Sequence, residues 1–163
     1  MDNFPLNIKF QTKKQLTDIA CKYMNYRANY FITLEAFSTR TSKEFIESAF
    51  NNWGRRMHKY CYGRKHRRDE ARLKIVGGLE RSLYSEKWHV HCAVGFGEDC
   101  LRSEEGITQQ AHYHWYELLN ANGRCGNLVN VKPITNLEDA FKYAFWDSTM
   151  LQTTSGEYGV LFA

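Results

Sequence analysis

An α+β fold, a mainly antiparallel sheet with helices laid over it, is what this sequence predicts, and three observations predict it. Apolar residues at helical spacing alternate with short β-branched and aromatic runs, in the order helix, strand, helix, strand, strand, helix, strand, helix. Two of the strands are separated only by Ser82-Leu-Tyr-Ser-Glu86, a hairpin-length connection that makes its neighbours antiparallel. The 163 residues, 43% apolar and 15% aromatic, suffice for one core and not for two large domains, so residues 1–163 read as a single domain. A central hairpin with helices over the sheet belongs to the ferredoxin-like or RRM-like class.

The elements follow in order. Leu16, Ile19, Ala20, Tyr23 and Met24 mark a helical stripe within Lys13 to Arg27. Asn29 to Phe37 turns to β-branched and aromatic residues, a strand. Thr41-Ser-Lys-Glu44 has the form of a capping box ahead of Phe45, Ala49, Phe50, Trp53 and Met57, a helix expected to end near Gly63. Leu73 to Arg81 and Lys87 to Gly95 are the hairpin strands, Ile107 to Asn122 is a helix stopped by Gly123-Arg-Cys-Gly126, and Leu128 to Ile134 is a strand. Thr135 or Asn136 caps a helix from Leu137 to Trp146, and Tyr158 to Ala163 reads as a strand fragment. No repeat, linker or low-complexity segment interrupts this order.

Composition narrows the setting. No apolar run approaches a membrane span, and Met1-Asp-Asn-Phe-Pro5 lacks the basic-then-apolar pattern of a signal peptide, so a cytoplasmic protein is expected. The five cysteines, at 21, 61, 92, 100 and 125, include no Cys-x-x-Cys pair. Free thiols therefore outweigh both a disulfide framework and a zinc set made of His58, Cys61 and His66.

The net charge of +4 is concentrated. Residues 55 to 74 hold nine Lys or Arg against two acids, a local +7, which leaves −3 for the rest of the chain. Most charge runs are solvated helix ends and loops. Here Trp53, Tyr60 and Tyr62 are interleaved with Arg55, Arg56, Lys59, Arg64, Lys65, Arg67 and Arg68, a combination suited to neutralising phosphates and stacking on unpaired bases.

Downstream lies His89-Val-His91. In a strand, residues two apart leave the same face, so both imidazoles can address one ion. A half-exposed alternation with no metal is the competing reading. Glu80, near the end of the preceding strand, falls beside the pair across the hairpin and completes two histidines and one carboxylate with open positions. That set suits Mn²⁺ or Mg²⁺, with Zn²⁺ a further option. The second such tripeptide, His112-Tyr-His114, falls in a helical segment where the two rings point about 200° apart. It cannot chelate one ion, and it reads as one packed ring and one exposed ring.

A nucleic-acid enzyme with a metal needs a group to attack phosphorus. Tyr143, on the helix that follows the last full strand, is the candidate, since a scaffold can hold its hydroxyl over the sheet while the metal offsets developing charge. The competing reading is a core aromatic among Phe141, Ala144 and Phe145.

Three segments in order then resemble a known pattern. Tyr30-Phe-Ile-Thr-Leu-Glu35 resembles the first motif of rolling-circle replication initiators, Trp88-His-Val-His-Cys92 their HUH motif, and Asp139-Ala-Phe-Lys-Tyr-Ala-Phe-Trp146 their tyrosine motif. Residues 28 to 147 are similar to the HUH endonuclease domains of plasmid and phage Rep proteins, of the single-tyrosine type. The resemblance implies a sheet of about five antiparallel strands, metal binding by Glu80, His89 and His91, and attack by Tyr143 on origin DNA that is single-stranded or folded as a hairpin. The tyrosine keeps the 5′ phosphate, the free 3′ hydroxyl serves a polymerase, and reversal of the transfer reseals the strand.

The chain departs from the family in places. Trp146 stands where a lysine often follows the tyrosine, and Lys142, pointing about 100° away from Tyr143 on the helix, is an imperfect substitute expected among the DNA-binding residues. Asp147 replaces any second tyrosine one turn on, and no P-loop occurs, so a separate or host helicase is implied along with the polymerase. Relaxases and single-strand insertion-sequence transposases use the same chemistry. A histidine-triad hydrolase needs a third histidine where Ala93 stands, and an RRM-like binding module leaves Glu80, His89 and His91 without a purpose.

Overall fold

The computed structural model describes residues 13–24, 28–63, 73–96, 100, 102–121 and 127–145, with the backbone of 160–162. The helices are α1 (Lys13–Tyr23), α2 (Lys43–Tyr62), α3 (Glu104–Leu118) and α4 (Leu137–Ala144). The strands are β1 (Tyr30–Glu35), β2 (Lys74–Arg81), β3 (Trp88–Gly95) and β4 (Val129–Pro133), with a three-residue β5 (Val160–Phe162). The class is α+β. None of the described helices is long and apolar enough to cross a membrane.

Local chemistry sets the helix ends. Ser42, one residue after the expected Thr41, caps α2 by accepting the Phe45 N–H at 3.1 Å. Ser103 does the same for Gly106 and starts α3 a turn earlier than the apolar stripe alone suggests. Asn136, the second of the two expected caps, accepts from Asp139 and starts α4. Each such bond satisfies an amide that the first helical turn leaves without a partner, and stabilises by about 1 kcal/mol.

The four longer strands pair antiparallel in the order β4-β1-β3-β2, and β5 lies along the outer edge of β2 with Phe162 opposite Val76. The β2–β3 hairpin has the expected register: Glu80 faces His89 and Gly78 faces His91. On its other side β3 sets Glu35 opposite His89 and Thr33 opposite His91.

Strand alternation then divides the side chains between two faces. Ile32, Leu34, Ile75, Leu79, Val90, Cys92, Val94 and Val129 pack with α2 and α3 around Phe50, Trp53, Met57 and Trp115. Both buried indoles also find acceptors, Trp53 on the Ala111 carbonyl at 3.1 Å and Trp115 on the Glu35 carbonyl at 2.9 Å. On the opposite face Val76 and Ala93 meet Leu16 and Ala20 of α1 with Met24 just after it, and Phe141 of α4 with Phe145 at its end. That second cluster is smaller, and it leaves the β4 side of its face uncovered.

Four of the cysteines, Cys21, Cys61, Cys92 and Cys100, are free thiols, whereas Cys125 and His66 lie outside the described residues.

Candidate active site

The open part of the α1/α4 face holds the candidate site. Because β1, β2 and β3 alternate in register, Phe31, Thr33 and Glu35, then Glu80, then His89 and His91 all project onto this face. His91 is 4% exposed, a buried polar ring at the centre of the group. Its Nε2 lies 2.8 Å from Glu80 Oε1 and its Nδ1 lies 3.1 Å from Thr33 Oγ1. An ionised carboxylate only accepts, so Nε2–H donates to Glu80 and Nδ1 is free to accept from the Thr33 hydroxyl. The chain Thr33–His91–Glu80 thus spans three strands and fixes the imidazole in place.

His89 stands beside it, the two ring centroids 6.0 Å apart. Its Nε2 is 3.3 Å from the Ser85 hydroxyl in the hairpin turn. Burial holds its pKa below the ordinary 6.5, against a smaller upward pull from Glu35. A ring kept neutral in this way retains the lone pair that a metal ligand needs. Glu35 itself pairs with Lys87 at 3.2 Å.

Tyr143 reaches the same group from α4. Its ring meets His91 edge-on with centroids 5.0 Å apart and an interplanar angle of 71°, and it meets Phe31 at 5.9 Å. Phe31 in turn stacks on His91 at 6.0 Å. Phe141, Ala144 and Phe145 are the buried residues of this helix segment, whereas Tyr143 is 58% exposed. The competing reading of Tyr143 as a core aromatic therefore does not describe it.

The approach of α4 depends on Gly78. A methyl group at that position would overlap the carbonyl oxygen of Ala144, so only a residue without Cβ lets the helix end sit this close to β2. Gly78 faces His91 across the hairpin, and its bareness sets the depth at which Tyr143 meets that ring.

A groove of 530 Å³ opens over the group, lined by Phe31, Thr33, Glu35, His89, His91 and Tyr143, with Ala140 one helical turn before the tyrosine. Its far wall is the edge strand β4 and the residues leading into it, where Asn127, Asn130 and Lys132 contribute polar groups.

Two imidazoles and a carboxylate on one face match the donor chemistry of a divalent cation that accepts oxygen and nitrogen ligands. Among the described residues, however, no three His, Cys, Asp or Glu side chains are gathered closely enough to hold an ion. Glu80 and His91 are bonded to each other, and His89 is turned to Ser85.

The basic residues lie elsewhere. Arg55, Arg56 and Lys59 are on α2, which covers the opposite face of the sheet; Arg55 bonds to Asn52 at 2.8 Å and Arg56 pairs with Glu117 of α3. Arg64, Lys65, Arg67 and Arg68 lie outside the described residues, as do Trp146 and Asp147. Lys142, next to Tyr143, pairs with Glu138 of its own helix at 2.8 Å and does not line the groove. The second histidine pair is on α3 as expected, but both rings are half-buried where one exposed ring was expected: His112 stacks on Tyr116 and His114 leans on Tyr113.

Sequence reasoning missed Thr33, Glu35, Gly78, Ser85, Asn130 and Lys132 as site residues. Thr33 and Glu35 carried a signal, since they alternate with buried Ile32 and Leu34, but only strand order shows which histidine each one faces. Comparison of the chain with protein-family models, with curated proteins and with solved structures returned no match.

Proposed function

We propose that this chain is a metal-dependent nickase and strand transferase acting on single-stranded DNA, with Tyr143 as nucleophile. The observation that carries the reading is the placement of an exposed tyrosine, from a helix 52 residues on in sequence, against His91 on the face shared by His89 and Glu80. The β1-α2-β2-β3-α3-β4 order on a β4-β1-β3-β2 sheet also fits the ferredoxin-like arrangement of HUH endonucleases, with β5 as the short fifth strand.

In this reading Tyr143 Oη forms a bond to phosphorus as the bond from phosphorus to the 3′ oxygen breaks. The tyrosine gives its proton to solvent and the departing 3′ oxygen gains one. The DNA is left with a free 3′ hydroxyl, and its 5′ phosphate remains on the protein. Glu80, His89 and His91 would hold Mn²⁺ or Mg²⁺, which polarises the phosphate when bound. Thr33 orients His91, the aromatic pair Phe31 and Tyr143 offers a base a stacking surface, and the groove is open to a strand passing the tyrosine. Initiation of rolling-circle replication, with helicase and polymerase supplied by other proteins, is the setting that the sequence resemblance implies.

Incubation with labelled single-stranded oligonucleotides and Mn²⁺ should give a protein–DNA adduct that survives denaturation. Tyr143→Phe should abolish it, and an adduct from that variant would remove Tyr143 as the nucleophile. The ungathered metal donors favour a second reading, a non-catalytic nucleic-acid-binding module, which predicts binding with no adduct on any single-stranded substrate.

A further inference from the structure

We infer that Lys132 binds the substrate phosphate beside Tyr143, an inference that rests on the nickase reading. Attack on a phosphodiester piles negative charge on the non-bridging oxygens, so a cation aimed at that point stabilises the transition state more than the ground state. Among the described residues Lys132 is the one Lys or Arg that lines the groove.

Its position follows from the register. Lys132 pairs with Phe31 across β1 and β4, and Phe31 is the ring in contact with both His91 and Tyr143. Neighbouring strands are about 4.8 Å apart, and a lysine side chain reaches further than that. Alternation along β4 buries Val129 on the α2/α3 face and leaves Asn130 and Lys132 on the groove face. Lys132 is exposed, and among the described residues its ammonium has no ion-pair or hydrogen-bond partner.

Two lysines beside the site are already engaged, Lys142 by Glu138 and Asp139 and Lys87 by Glu35. A lysine on an edge strand also discourages pairing with another chain's strand, a duty that any charged side chain performs. Lys132→Glu preserves that duty and reverses the phosphate contact; Lys132→Arg preserves both. The three proteins therefore separate the two roles.

The experiment uses the full chain with a fluorescent single-stranded oligonucleotide, reading single-turnover adduct formation in Mn²⁺ and equilibrium binding without metal across a salt series. Lys132→Glu should slow adduct formation at least about 100-fold, on the scale of losing one charge-stabilising donor, whereas Lys132→Arg should stay within a few-fold of wild type. The slope of log affinity against log salt should shrink by about 0.7 in Lys132→Glu, the loss of one phosphate contact on a single strand. An unchanged slope together with wild-type cleavage by Lys132→Glu overturns the inference. If wild type forms no adduct but the slope still shrinks in Lys132→Glu, the phosphate contact stands and the nickase reading falls.

Discussion

Successive residues of β3 point opposite ways, and the two sets differ in kind. Val90, Cys92 and Val94 enter a dry cluster under α2 and α3, where each buried indole N–H has a backbone acceptor. His89 and His91 enter a face that α1 and α4 cover only in part, where the nearest partners are two hydroxyls, two carboxylates and an exposed phenol. One side of the sheet is built for burial, the other for access. Substitutions on the first should therefore act on stability, and substitutions on the second on chemistry.

The largest effect should come from the packed side. Trp53 is fully buried and bonded to Ala111, so Trp53→Ala should cost about 3–5 kcal/mol, read as a lower urea midpoint. A loss below about 1 kcal/mol would mean that the two faces are more alike than their packing indicates. Gly78→Ala comes next and couples the faces, because the new methyl group displaces the end of α4. A cost of about 1–3 kcal/mol is expected, with adduct formation falling further than stability explains. Wild-type cleavage by a stably folded Gly78→Ala protein would break the link drawn between α4 and His91. Thr33→Val removes one bond to His91 at nearly constant shape, about 1 kcal/mol in denaturant titrations, with a greater proportional loss in turnover.

The pH response should be smaller. Burial holds His114 and His112 below the ordinary 6.5, and the nearby Arg56 guanidinium adds to the effect at His114. As pH falls below 6.5 the unfolded chain takes up protons that the folded rings resist, so stability is full above that value and declines beneath it. His114→Gln should flatten the decline in melting temperature between about pH 7.5 and pH 5.5; an unaltered decline would assign it to other groups. The double change Arg55→Gln with Lys59→Gln lies across the sheet from the groove and should alter stability by less than about 0.5 kcal/mol. Its cleavage rate at saturating DNA should match wild type, and a large loss there would bring the α2 stripe into the site after all.

Much of the frame was legible in the sequence because periodicity is local. The helical stripes, the hairpin and the cap at Asn136 follow from neighbours within a few residues, the α2 cap falls one residue past the expected Thr41, and the hairpin alone sets Glu80 opposite His89. The site is harder to read because it depends on strand order. That β1 lies next to β3, bringing Thr33 and Glu35 to the two histidines, is a pairing across 58 and 54 residues of chain that no local pattern encodes. Lys132 enters by the same route through β4. The basic stripe was visible as composition, but which face of the sheet α2 covers is set by the crossover and not by charge.

The chain Thr33–His91–Glu80 also bears on how the sheet finds its pairing. A slip of β3 by one residue against both neighbours would send His91 into the apolar cluster under α2 and α3 and lift Val90 and Cys92 toward water. An imidazole there would lose its hydroxyl and its carboxylate together, at roughly 1–3 kcal/mol for each unmet polar group. The same ring that faces Tyr143 thus penalises a one-residue misalignment of its own strand. A variant with an apolar residue at position 91 is expected to lose this guard as well as the proposed strand transfer, and to refold with more than one alignment of β3.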